Sequence, residues 1–165
     1  MIRKLSVDSR LVAVGALAEV LADCVEGGAS VGFVHPFSVS DAEAYWRRAA
    51  PGMDVLLIAG DGDSIDGTVS LRFAEFPNAL HRAEVLKLLI HRRARGRGLA
   101  TALMKAVETE AAAAGRSTLV LDTATGTDAE RLYLQLGWEV SGVVPRYCLM
   151  PDGTPNSTTV MHRLL

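Results

Sequence analysis

Hydrophobic positions along the chain fall into short runs of strand length, separated by longer stretches with helical period. Residues 2–7 read as a first strand. Residues 10–25 read as an amphipathic helix closed by Gly27-Gly28. A second, more polar helical stretch covers 41–48, after possible caps Ser38 and Ser40. The run DVLLIA at 54–59 and the return at 68–73 flank a turn at Gly60-Asp61-Gly62-Asp63, which predicts a hairpin. EVLKLLIH at 84–91 adds a third strand. Leu99, Leu103, Ala106, Val107 and Ala111 then fall on one face of a helix over 99–114, stopped by Gly115. The apolar run at 118–122 is of buried-strand type. Thr127 and Glu130 form a T-x-x-E capping box for the next helix. Its apolar face is Ala129, Leu132, Tyr133 and Leu136, and Gly137 ends it. Two strands, 138–144 and 158–164, close the chain around a turn at Pro151-Asp152-Gly153. Antiparallel strands come first, then strand–helix–strand–helix–strand. This order predicts an α/β (α+β) domain: a mixed antiparallel and parallel central sheet of about seven strands, with helices on both faces.

Composition narrows the class. The chain has 165 residues, 49% hydrophobic and 22% charged, and suits one domain over 1–165. A net charge of −2 disfavours nucleic acid as a partner. No stretch is long enough to span a bilayer, and acidic residues Asp8 and Glu19 bracket the N-terminal apolar run, so it reads as a helix and not as a leader. Cys24 and Cys148 form neither a metal spacing nor a disulfide framework, as expected of thiols in a cytoplasmic protein. No metal site is expected.

The densest chemical signal is His91-Arg92-Arg93-Ala94-Arg95-Gly96-Arg97-Gly98-Leu99-Ala100, where a strand runs into a helix through two glycines. Such a loop lets backbone approach a ligand, and the helix start adds unpaired N–H donors and the positive end of its dipole. That chemistry suits phosphate or pyrophosphate. A P-loop would need Lys-Ser or Lys-Thr after the last glycine, where Leu99-Ala100 stands. A dinucleotide fold would fit Gly96 and Gly98, with Asp122 near the ribose position. It finds Thr101 in place of its third glycine, too few residues after Asp122, and an antiparallel hairpin that does not belong to it.

Arg93-x-x-Gly96-x-Gly98 resembles the pyrophosphate loop of the GNAT superfamily of N-acetyltransferases. Ala129-Glu130-Arg131-Leu132-Tyr133-Leu134-Gln135-Leu136-Gly137-Trp138 resembles that superfamily's A-x-x-L-Y-x-x-x-G-[FW] segment. The two motifs stand in the expected order and at the expected separation. Further resemblance is to the tabtoxin-resistance acetyltransferases. It rests on His81-Arg82-Ala83-Glu84-Val85, the Ala94–Leu99 loop, Leu121-Asp122-Thr123 and Tyr147-Cys148-x-x-Pro151-Asp152-Gly153. Two positions depart from the pattern. Gly126 stands where an Asn often contacts the cofactor arm, and Arg92 where a proline is frequent.

The resemblance implies acetyl-CoA as cosubstrate. Its pyrophosphate would lie over the N–H groups of Arg95, Gly96, Arg97, Gly98, Leu99, Ala100 and Thr101, with Arg93, Arg95 and Arg97 adding charge. Its arm would run beside Leu88, Leu89 and Ile90, in a splay between two parallel strands. The acceptor would be the primary amine of a small molecule, such as an amino-acid-like toxin or antibiotic. An amine of pKa about 10 is mostly protonated at neutral pH and needs a base. Glu84 and Asp122 stand at suitable places for that base, and Tyr133 would return a proton to the leaving thiolate. Acetylation of a protein N-terminus or lysine, and an acyl-CoA sensor without turnover, are the alternative readings. A monomer or homodimer fits either.

Overall fold

A computed structural model describes residues 1–61 and 64–165. Gly62 and Asp63 of the expected turn lie outside the described residues. The strands are β1 (Ile2–Lys4), β2 (Val55–Ala59), β3 (Gly67–Phe73), β4 (Arg82–Ile90), β5 (Thr118–Ala124), β6 (Glu139–Leu149) and β7 (Pro155–Leu164). The helices are α1 (Val7–Val12), α2 (Val14–Glu26), α3 (Val39–Ala49), α4 (Leu99–Ala113) and α5 (Asp128–Gln135). The strands form one mixed sheet in the order β1-β2-β3-β4-β5-β7-β6. Among the described residues only β4 and β5 run parallel; every other neighbouring pair is antiparallel.

Two cores lie on the two faces of the sheet. Leu17, Leu21 and Val25 of α2 and Trp46 of α3 pack with Leu56, Ile58 and Leu89 on one face. Leu103, Met104 and Val107 of α4 pack with Leu57, Val69, Val85, Leu119 and Leu121 on the other, joined by Tyr133 of α5 and by Trp138. The alternation of β2 dictates this: Leu56 and Ile58 face one core, Val55 and Leu57 the other.

Two expectations change. The first strand ends at Lys4, because Ser6 caps a new helix by accepting the Ser9 N–H. The single helix expected over 10–25 is two, with the chain bending at Ala13. Near the break Arg10 is a buried cation whose guanidinium donates to the carbonyls of Ala50 and Met53.

Candidate acetyl-transfer site

The parallel pair β4–β5 opens like a V. It is registered only from Arg82 opposite Thr118 to Glu84 opposite Val120. Beyond that β5 keeps its ladder with β7 as far as Ala124, while β4 runs on to Ile90 beside β3. The β4 edge facing β5 is therefore unpaired by strand over its last six residues, Val85–Ile90. A bulge helps to bend β4 away. Ser70 opposes Leu86 but Thr68 opposes Leu89, so β4 carries one extra residue. The extra turn falls at Lys87, which holds φ at +54°. Val85 accordingly packs with α4, while Leu89 packs with α2.

A cavity of about 370 Å³ fills the V. Leu88, Leu89 and Ile90 line it from β4, Thr123 and Ala124 from β5, and the Gly27–Val31 segment after α2 forms another wall. Ala129 and Leu132 of α5 close it further. Cys24 also faces it; burial pushes the thiol pKa up, and Sγ donates to the Ile90 carbonyl at 3.4 Å.

At its end sits the glycine loop. Gly96 and Gly98 hold φ at +75° and +74°, and a Cβ on either would meet no protein atom within 4 Å. The left-handed backbone, not crowding, is what asks for glycine. Among the described residues no hydrogen bond is made by the N–H groups of Gly96, Arg97, Gly98, Leu99, Ala100 and Thr101; the α4 ladder begins with Ala102 donating to Gly98. The sequence expectation included the Arg95 amide, but that N–H is spent on the Arg92 carbonyl at 3.3 Å.

The arginines divide. Arg93 braces the preceding hairpin, donating through Nε to Asp66 at 2.9 Å and through Nη2 to Ser64 and Ile65. Arg92 is held by Asp23. Arg95 lines the cavity and donates to the Ile90 carbonyl, and Arg97 folds back on the Arg93 carbonyl.

The three candidate proton-transfer residues lie on opposite sides of the sheet. Tyr133 is buried in the α4 core, 6.0 Å from Trp138 ring to ring, and its hydroxyl makes no hydrogen bond among the described residues. Burial, with the nearby Asp122 charge, pushes its pKa well above the usual phenol range. Thr127 caps the helix that carries it by accepting the Glu130 N–H. The Glu130 carboxylate takes the Gly126 N–H at 2.6 Å and the Thr159 hydroxyl, so the expected capping box is completed one residue earlier. Glu84 is half-buried on the other face, opposite Arg72, where the β4–β5 ladder ends. Asp122 is exposed and pairs with Val160 of β7.

Lys87 joins these carboxylates and was not singled out from sequence. Its Nζ donates to the Val31 carbonyl at 2.8 Å and lies 5.2 Å and 5.7 Å from the ring centres of Tyr45 and Phe33. Burial pulls its pKa down, while Asp122 and Glu84 pull it up. The sequence signal that could have found it is a lysine interrupting an otherwise apolar strand at the centre of the sheet.

Solved structures share this fold. The chain aligns with a ribosomal-protein-alanine N-acetyltransferase from Brucella melitensis at TM-score 0.79 and 20% identity, covering all of this chain and 99% of that one. A GCN5-related N-acetyltransferase from Kribbella flavida gives TM-score 0.78 and 23% identity over 100% and 97% of the two chains. A GNAT superfamily phosphinothricin acetyltransferase from Sinorhizobium meliloti, solved in complex with AcCoA, gives 0.78 and 18% over 100% and 88%. At these identities the likeness is one of fold. The sequence itself matches the model of the acetyltransferase (GNAT) family over residues 17–138, a span that runs from α2 through the split strands and the glycine loop to Trp138. By that match the chain belongs to the acetyltransferase (GNAT) family.

Proposed function

We propose that this chain is an N-acetyltransferase, a single such domain over 1–165, that moves the acetyl group of acetyl-CoA to the primary amine of a small molecule. One observation carries the reading: six consecutive N–H groups, unbonded among the described residues, stand at the mouth of a cavity held open between two parallel strands. Acetyl-CoA supplies an activated acyl group on a thiol that leaves.

The residues fit that cosubstrate. The amides of Gly96 to Thr101 offer donors to a pyrophosphate at the positive end of α4, and Arg95 adds a charge-assisted one. Leu88, Leu89 and Ile90 present an unpaired strand edge to the amide-bearing arm, which can add to it as a further strand. A β4 amide on that edge is suited to polarise the thioester carbonyl.

Glu84 and Asp122 are the candidate bases for the acceptor ammonium. They lie on the face away from Tyr133, so base and acid flank the gap between β4 and β5 from opposite sides. A carboxylate takes one proton from the ammonium; the neutral amine then forms the C–N bond, and as the C–S bond breaks the second nitrogen proton passes to the departing sulfur or to solvent. Tyr133, with its pKa raised by burial, stays protonated and donates a hydrogen bond to the developing thiolate. Full proton transfer from so weak an acid to a thiolate of pKa about 8.5 is uphill, so hydrogen bonding is its principal contribution.

A small acceptor is supported by the β6–β7 hairpin, whose turn residue Pro151 accepts the His35 N–H at 2.8 Å and ties the hairpin to the segment between α2 and α3. The resemblance to tabtoxin-resistance enzymes, and the likeness in fold to a phosphinothricin acetyltransferase, favour an amino-acid-like acceptor. Among the described residues no helix is long and apolar enough to cross a membrane; we place the protein in the cytoplasm, where acetyl-CoA is available. The test is thiol release from acetyl-CoA, with and without a panel of small amines and of peptides bearing a free N-terminus or lysine. Release dependent on a small amine supports the reading. Dependence on the peptides alone would transfer it to protein acetylation, and acetyl-CoA binding without any release would make the protein a sensor.

A further inference from the structure

A second cavity, of about 220 Å³, lies on the sheet face opposite Tyr133, where β4 and β5 are still paired. Its walls are Arg72, Phe73 and Ala74 of β3 and its end, Arg82, Ala83 and Glu84 of β4, and Val120 of β5. Arg72 stands directly across the ladder from Glu84. Arg82 is two residues before Glu84 on the same face, with its carbonyl accepting the Ala74 N–H. The two guanidiniums thus bracket one carboxylate around a concave surface.

Neither guanidinium makes a hydrogen bond or ion pair with another described residue, although Glu84 is adjacent to both. Their unused donors contrast with Arg92, Arg93 and Arg163, each of which is matched to a carboxylate. The local field is positive as well. Arg72 and Arg48 both act on Tyr45, lowering its pKa against the larger upward push of burial, and Arg72 acts on Lys87. Arg72, Arg82 and Glu84 share the walls of this cavity, and Lys87 feels the charges of Arg72, Glu84 and Asp122.

We infer that Arg72 and Arg82 form an anion clamp beside Glu84, and that the acceptor is a short zwitterion: a primary amine carrying a carboxylate or phosphonate a few bonds away. The inference rests on the acetyl-transfer reading above and adds a selectivity to it. Guanidinium forks match planar or tetrahedral oxyanions, where a neutral amine offers them nothing. Residues directly opposite on neighbouring strands have Cβ atoms about 5 Å apart. An anion on Arg72 therefore keeps the amine close to Glu84 only if the spacer is short. A large peptide acceptor would have no need of this clamp.

The test compares initial rates of thiol release with matched amines. Glycine, β-alanine and 4-aminobutanoate carry the carboxylate, 2-aminoethylphosphonate carries the phosphonate, and propylamine carries neither. Acetyl-CoA binding is measured calorimetrically on the same protein. At least one anionic amine should exceed propylamine in kcat/KM by about tenfold or more. Arg72→Met and Arg82→Met should each reduce that preference by about tenfold, chiefly through KM, with Arg72→Lys recovering part of it. Which anion is preferred separates carboxylate from phosphonate recognition. Propylamine turned over as well as its anionic counterparts, a preference that survives both methionine variants, or no release with any anionic amine would each overturn the clamp. Failure of acetyl-CoA to bind would instead overturn the reading of the larger cavity.

Discussion

Removing the phenolic oxygen of Tyr133 separates chemistry from packing at a single atom. The ring is buried against the α4 core and beside Trp138, and the hydroxyl has no hydrogen-bond partner among the described residues. Tyr133→Phe should therefore leave stability within about 1 kcal/mol, because no internal hydrogen bond is lost. If the hydroxyl stabilises the leaving thiolate, kcat falls by about 10²-fold or more while acetyl-CoA affinity holds. Steady-state turnover beside a thermal melt decides it; a folded variant within about threefold of the parent shows a core residue. Glu84 and Asp122 answer to pH. Glu84→Gln or Asp122→Asn, whichever removes the base, should cost most near pH 7 and least near pH 10, where about half of an amine of pKa about 10 is already neutral. Equal losses at every pH in both variants would assign them to positioning.

Among the elements, the turn from β4 to α4 links legibility in sequence with function most directly. Gly98→Ala adds a Cβ that meets no protein atom within 4 Å, but it must hold φ near +74°. The expected destabilisation is about 1–2 kcal/mol, from backbone alone. The new methyl also stands among the free amides, so acetyl-CoA should no longer raise the melting temperature as it does for the parent. An unchanged ligand-induced shift in both Gly98→Ala and Gly96→Ala would remove the loop from the site. This turn was legible because glycines, arginines and a strand-to-helix change coincide in ten residues. The order of strands and the faces of α4 and α5 were legible for the same local reason: periodicity and caps. The V itself was known only through family resemblance, because it depends on where a ladder stops, which is a relation between β4 and β5. The bulge at Lys87 was hidden too. Nothing in EVLKLLIH marks the one extra residue that sends Val85 and Leu89 to opposite cores. The bracing of Arg93 was hidden for a related reason: its partners, Asp66 and Ser64, are distant in sequence, and spacing within the motif cannot reveal them.

Across the whole molecule, the two halves meet at Asp23. This residue closes α2, a helix of the first core, and binds the entry to the loop that begins α4, a helix of the second. Its carboxylate accepts the Arg92 N–H at 2.7 Å and the Arg92 Nε at 2.9 Å. His91 Nδ1, 3.5 Å away, accepts the Arg93 N–H and so is not the donor to Asp23. Burial pushes the Asp23 pKa up, but the Arg92 bonds and charge outweigh it, and the pKa is held below the usual carboxylate value. The sign follows. A carboxyl with a lower pKa folded than unfolded binds fewer protons when folded, so its stabilisation is complete above the unfolded pKa of about 3.9 and is lost as pH falls through the folded value. Asp23→Asn keeps the shape and removes the charge. Arg92 is 49% exposed, so solvent screens the pair, and the expected loss is about 1 kcal/mol at pH 7. Urea unfolding of parent and variant should show a constant gap from pH 7 to about pH 5 that narrows below about pH 4. Because the same contact seats the Arg92 side chain against Gly27 of the cavity wall, acetyl-CoA affinity should weaken with the charge lost, and glycine-loop variants should couple to Asp23→Asn non-additively. A gap that persists unchanged to about pH 3 would mean that shape, not charge, joins the two halves.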